Sequence, residues 1–94
     1  MGNISLSIRA ASQIALLGAI TKNLRAVNIV YDDISMQINF YYENIKNEEE
    51  EIAEIFASEM LSYFENYDIN VNSIILPTSK SIPEEGLRVF SRKE

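Results

Sequence analysis

Between Ile34 and Tyr42 every second residue is apolar. Ile34, Met36, Ile38, Phe40 and Tyr42 fall on one side; Ser35, Gln37, Asn39 and Tyr41 fall on the other. Successive side chains of an extended strand point to opposite faces, so this alternation reads as a half-buried strand, one face in a core and one turned out. Such a strand needs neighbours to pair with and something to cover its apolar face, which commits the chain to a sheet with a second layer. Immediately before it, Leu24 to Tyr31 is rich in β-branched and aromatic residues (Val27, Ile29, Val30, Tyr31). Asp32-Asp33 between them is a turn of residues that hydrogen-bond their own backbone, so the two segments read as a hairpin.

Two helical stretches are available as the covering layer. From Ser5 to Ile20, Ala10, Ile14 and Leu17 recur at helical spacing and Leu24 continues the pattern. The small residues Ala11, Ala15 and Gly18 beside them permit close approach to a neighbour. Ser5 or Ser7 is the expected cap, although Ile4, Leu6 and Ile8 also fit a short opening strand. The second helix is expected from about Glu48 to Tyr67, with a stripe of Ile52, Ile55, Phe56, Met60, Tyr63, Phe64 and Tyr67. Its four opening carboxylates, Glu48 to Glu51, would repel one another in a strand or coil. At a helix N-terminus they meet unpaired N–H groups and the positive end of the helix dipole. Asn47 is the expected cap, with Glu50 as its capping-box partner.

Beyond this helix, Ile69 to Leu76 reads as a strand stopped by Pro77, Thr78 to Gly86 as a loop of turn formers, and Leu87 to Ser91 as a last short strand. The expected architecture is therefore one α+β domain over residues 1–94, in the order α-β-β-α-β-β. Its sheet is expected to be antiparallel, of about four strands, with both helices on one face. The opposite face would carry Ser35, Gln37, Asn39 and Tyr41, either in solvent or as a docking face.

Composition removes most familiar chemistry. The chain has no cysteine and no histidine, so thiolate nucleophiles, histidine-based triads, disulfides and Cys-type zinc sites are excluded. No glycine-rich phosphate loop or calcium-loop pattern is present, and no cofactor, metal or catalytic residue is expected. Ser79-Lys80-Ser81 reads as a solvated turn. Fourteen Asp and Glu against eight Lys and Arg give a net charge of −6. That balance argues against nucleic acid as a ligand and for a basic protein as partner. The apolar run Ile14 to Ile20 is far shorter than the ~20 residues a bilayer needs, and no leader is apparent after Met1, so a cytoplasmic protein that does not enter membranes is expected.

What remains is a surface. Tyr41, expected to point outward beside Asn39 and Gln37, is a candidate anchor, because tyrosine offers large contact area at low entropic loss. Asp32, Asp33, Glu48, Glu49, Glu84 and Glu85 are candidates for a negative rim around it. Tyr42, Tyr63 and Tyr67 are assigned to the core. Two functional classes fit: a non-catalytic inhibitor that binds a basic partner, such as a nucleic-acid enzyme, and an assembly module that homo-oligomerises.

The segment Leu16-Leu17-Gly18-Ala19-Ile20-Thr21 running into Asn23-Leu24-Arg25-Ala26-Val27, and the ending Val89-Phe90-Ser91-Arg92-Lys93-Glu94, resemble small bacterial immunity-type proteins of contact-dependent growth inhibition and related polymorphic toxin systems. The resemblance covers about a third of the chain. It implies stoichiometric inhibition of a cognate toxin, often a nuclease, and transfers no binding residue, because members use different surfaces.

Overall fold

A computed structural model describes residues 4–45 and 47–93. The expected start Met1-Gly2-Asn3, the capping side chain of Asn47 and the terminal Glu94 lie outside the described residues. The chain runs through α1 (Ile4–Ala15), a 3-10 turn (Leu16–Gly18), β1 (Leu24–Tyr31), β2 (Ser35–Tyr42), α2 (Asn47–Tyr63), β3 (Asp68–Ile75) and β4 (Leu87–Ser91). The 3-10 turn is an element the expected order lacked. The first helix starts at Ile4, so Ser5 and Ser7 lie inside its opening turn rather than ahead of it, and residues 4–8 form no strand.

The sheet is mixed, with strand order β3-β2-β1-β4. β1 pairs antiparallel with both β2 and β4, but β3 runs parallel to β2, from Ser35 opposite Asp68 to Tyr42 opposite Ile75. This corrects the expectation of an antiparallel sheet. Helix length supplies the reason. Seventeen residues of α2 advance about 25 Å, close to the roughly 26 Å of an eight-residue strand. The helix thus carries the chain back to the start of β2, and the next strand laid beside β2 must run parallel to it.

One cluster of buried side chains lies between the sheet and the helices. It joins Ile8, Ala11, Ala15 and Leu16 to Val27, Ile29, Met36, Ile38, Phe40 and Tyr42, and to Ala53, Phe56 and Met60 of α2. The rings of Phe40 and Phe56 meet edge to face, 5.2 Å apart. The expected α1 stripe is inverted: Ile8, Ala11, Ser12 and Ala15 are buried, while Ile14 is half exposed and Leu17 is 86% exposed. α1 carries apolar residues on two faces, and the face with smaller side chains is the one that lets its axis approach the sheet. On α2, Ala53, Phe56 and Met60 are buried, but Ile55 and Tyr63 point into solvent, so Tyr63 is not a core residue.

The second face of the sheet is not open either. β3 and β4 occupy opposite edges and run in the same direction, so the intervening residues 76–86 cross diagonally beneath β2 and β1. Gly86 ends this strap with φ 61°. A Cβ there would lie 2.9 Å from the carbonyl carbon of Ile29, which only glycine avoids.

Candidate partner-binding surface

The nine side chains singled out for partner binding separate into three places. Asp32 and Asp33 sit exposed at the β1–β2 turn. One Asp32 carboxylate oxygen accepts hydrogen bonds from the backbone N–H groups of Ile34 and Ser35, each at 2.9 Å, and from the Ser35 hydroxyl at 3.0 Å. The two backbone bonds hold its pKa below the ordinary carboxylate value. Asp32 therefore shapes the turn, and Ile34, exposed just beyond it, is not part of the buried stripe.

Gln37, Asn39, Tyr41, Glu84 and Glu85 meet at the strap. Asn39 and Tyr41 are both only 3% exposed, so Tyr41 is no outward anchor. Its phenol donates to the Glu85 carboxylate at 2.8 Å, and the Asn39 amide donates to the same oxygen at 3.3 Å. The Asn39 carbonyl oxygen accepts from Gln37 and from Asn72 on β3. Burial, reinforced by the Glu85 charge, pushes the Tyr41 phenol up to about 12. Glu84 stays exposed beside it.

The residues that hold the strap were not anticipated. Arg25 on β1 is 3% exposed, and its guanidinium donates to the carbonyls of Leu76, Pro77 and Lys80 at 3.0–3.1 Å. Asn28, also buried, donates to the Pro83 carbonyl at 2.9 Å and accepts from Arg88, whose guanidinium also donates to Pro83. Side chains 77–81 face solvent, as expected of a turn, but the backbone carbonyls of Pro77 and Lys80 are claimed from below by Arg25. A buried cation is tolerated where carbonyl dipoles replace its water. The signal was present in the sequence: Arg25 and Asn28 interrupt an otherwise apolar strand.

Glu48 and Glu49 take opposite roles at the start of α2. Glu48 is exposed, whereas Glu49 is buried. The Glu49 carboxylate accepts from the Thr21 hydroxyl and from the Asn23 amide, which fastens the turn after α1 to α2. Its backbone carbonyl accepts from the Tyr42 phenol at 3.3 Å, and burial followed by the Glu49 charge raises that phenol's pKa. Among the described residues no buried side-chain nitrogen or oxygen lacks a partner, and no group of three acidic side chains converges as a metal site.

Exposed acid is concentrated elsewhere. Glu50, Glu51 and Glu54 of α2 line a groove of ≈ 650 Å³ whose other wall is Val71, Asn72, Ser73 and Ile74 of β3. From Asn47 to Ser79 the chain holds Glu48, Glu49, Glu50, Glu51, Glu54, Glu59, Glu65 and Asp68, and no lysine or arginine. All the basic residues lie in the remainder of the chain. The α2–β3 side is thus an open, segregated negative surface. No described helix is long and apolar enough to cross a membrane.

The sequence model of the family described as MafI2 immunity protein matches residues 5–94, and the chain belongs to that family. It is thereby an immunity-type protein whose partner is a toxin. The family represents a toxin–immunity system related to, but different from, contact-dependent growth inhibition. No curated protein matches the sequence.

Proposed function

We propose that this chain neutralises its toxin stoichiometrically, without turnover, by laying the negative α2–β3 side against a basic surface at or beside the toxin's active site. A nuclease is the toxin class whose chemistry fits best, because a site that holds phosphates is itself positive. The observation that carries this reading is the charge segregation: in a member of the MafI2 immunity family, the acids of residues 47–79 stand with no base among them. Such a surface accelerates encounter with a cationic partner and selects against neutral or acidic ones. Glu48, Glu50, Glu51 and Glu54 are the contact residues we assign. Asp32, Asn39, Tyr41, Glu49 and Glu85 are occupied in holding turns, strap and helix start.

The test uses the cognate toxin domain, recovered by co-purification from the native host and then purified. Wild-type protein is expected to abolish toxin activity at one-to-one stoichiometry, with an association rate that falls steeply as salt is raised. Reversing Glu50, Glu51 and Glu54 to lysine is expected to slow association by roughly 10-fold or more at low salt. An association rate indifferent to both salt and charge reversal would refute the electrostatic reading.

A further inference from the structure

The sheet has two edges, and they are treated differently. β4 is five residues long, bulges at Val89 opposite Val27 and Asn28 of β1, and is covered by α1. Arg9 donates to the Arg88 carbonyl at 3.4 Å and Gln13 donates to the Val89 carbonyl at 3.2 Å, so side chains occupy the outward acceptors of that edge. β3 is eight residues long and keeps an unbroken register with β2. No proline or lysine interrupts Asp68–Ile75. Short length, charge, proline and bulges are the devices by which proteins protect an edge; β4 is short and bulged, whereas β3 is longer, unbulged and carries its one charge, Asp68, at its first residue.

The parity of β3 can be read from its ends. The Asp68 N–H donates to the Ile34 carbonyl and the Leu76 N–H donates to the Tyr42 carbonyl. Even-numbered residues therefore turn their backbone groups toward β2. Ile69, Val71, Ser73 and Ile75 present N–H and C=O to the free side, along the groove walled by Glu50, Glu51 and Glu54.

We infer that β3 is the docking edge for an extended segment of the toxin, which adds as a fifth strand and places Lys or Arg at alternate positions against the α2 carboxylates. Backbone hydrogen bonds to Val71 and Ser73 supply register, and the alternating side chains supply selectivity. A second copy of this chain is the poorer occupant. Two-fold pairing of β3 with itself would bring both sets of Glu50, Glu51 and Glu54 to one seam, where like charges repel. The inference rests on the immunity reading above and adds the surface and the shape of what it binds.

Two measurements test it, both on the toxin domain that the wild-type protein has been shown to neutralise. If wild-type protein neutralises no toxin, the immunity reading fails first and separately. In the first measurement, amide hydrogen exchange of the free protein is compared with that of the complex. Slowed exchange at Val71 and Ser73 is expected, and unchanged exchange there overturns the proposal. The second uses Ser73→Pro, which deletes an outward N–H without removing a bond to β2, with Ser73→Ala as its control. A folded Ser73→Pro should bind roughly 30-fold more weakly while Ser73→Ala binds as wild type. Equal binding by both overturns the proposal, as does a wild-type dimer in sedimentation that Ser73→Pro dissociates. If Ser73→Pro fails to fold, the exchange result decides alone.

Discussion

The two faces of the sheet are closed by different physics. Over one face, α1 and α2 bury an apolar cluster around Phe40, Phe56 and Ile38. Over the other, an eleven-residue strap (76–86) is held by hydrogen bonds from Arg25, Asn28, Tyr41 and Arg88. Apolar packing is non-directional and tolerates exchange among shapes of similar volume. The strap depends on individual donors aimed at individual acceptors, and removing one donor leaves its acceptors without that bond. One face therefore derives its stability from area and the other from geometry.

Three perturbations separate the two faces, in descending order of effect. Phe40→Ala should destabilise the fold by about 3–5 kcal/mol in urea unfolding, because a fully buried ring leaves a cavity among rigid neighbours. A loss below about 1 kcal/mol would mean that the helix-covered face is not the stability centre. Arg25→Met keeps the apolar stem but strips the donors from Leu76, Pro77 and Lys80, for an expected loss of about 2–3 kcal/mol. Limited proteolysis should then cut within residues 76–86 before the helices. Unchanged stability and an uncut strap would show that covering the polar face needs no anchored cation.

The smallest effect concerns pH. The Tyr41 phenol is raised from 10.0 to about 12 in the fold, so the native state holds its proton more tightly than the unfolded chain does. The stability linked to it is fully present below pH 10 and is lost as pH rises toward about 12. Glu85→Gln removes the charge and should lower the Tyr41 midpoint in a tyrosinate absorbance titration. A midpoint that stays in place would assign the shift to burial alone.

Local pattern was most informative where one residue type dominates a short window. β1 and β4 have the bounds expected, and the alternation from Met36 to Tyr42 is buried on the apolar parity. Periodicity was ambiguous where two faces qualify: the first helical stretch carries Ala10 and Ile14 on one side, with Leu17 beyond in the 3-10 turn, and Ile8, Ala11 and Ala15 on the other, and only packing chooses between them. The candidate surface divides in the same way. The run Glu48–Glu51 was visible as a helix start, yet which of those carboxylates turns inward depends on helix phase, which buries Glu49 and leaves Glu48 and Glu50 outside. Tyr41 looked outward because it lies on the polar parity, and it is outward from the core but lies under the strap.

From the sequence alone follow the kinds and order of the main helices and strands, the segregation of charge into residues 47–79, and the absence of cysteine and histidine from the whole chain. These depend on covalent order and on neighbours within a few residues. The parallel placement of β3, its unguarded edge and the burial of Tyr41 beneath residues 76–86 were decided by tertiary structure. Each depends on where a helix or a strap returns the chain in space, and that is settled by distances between residues tens of positions apart.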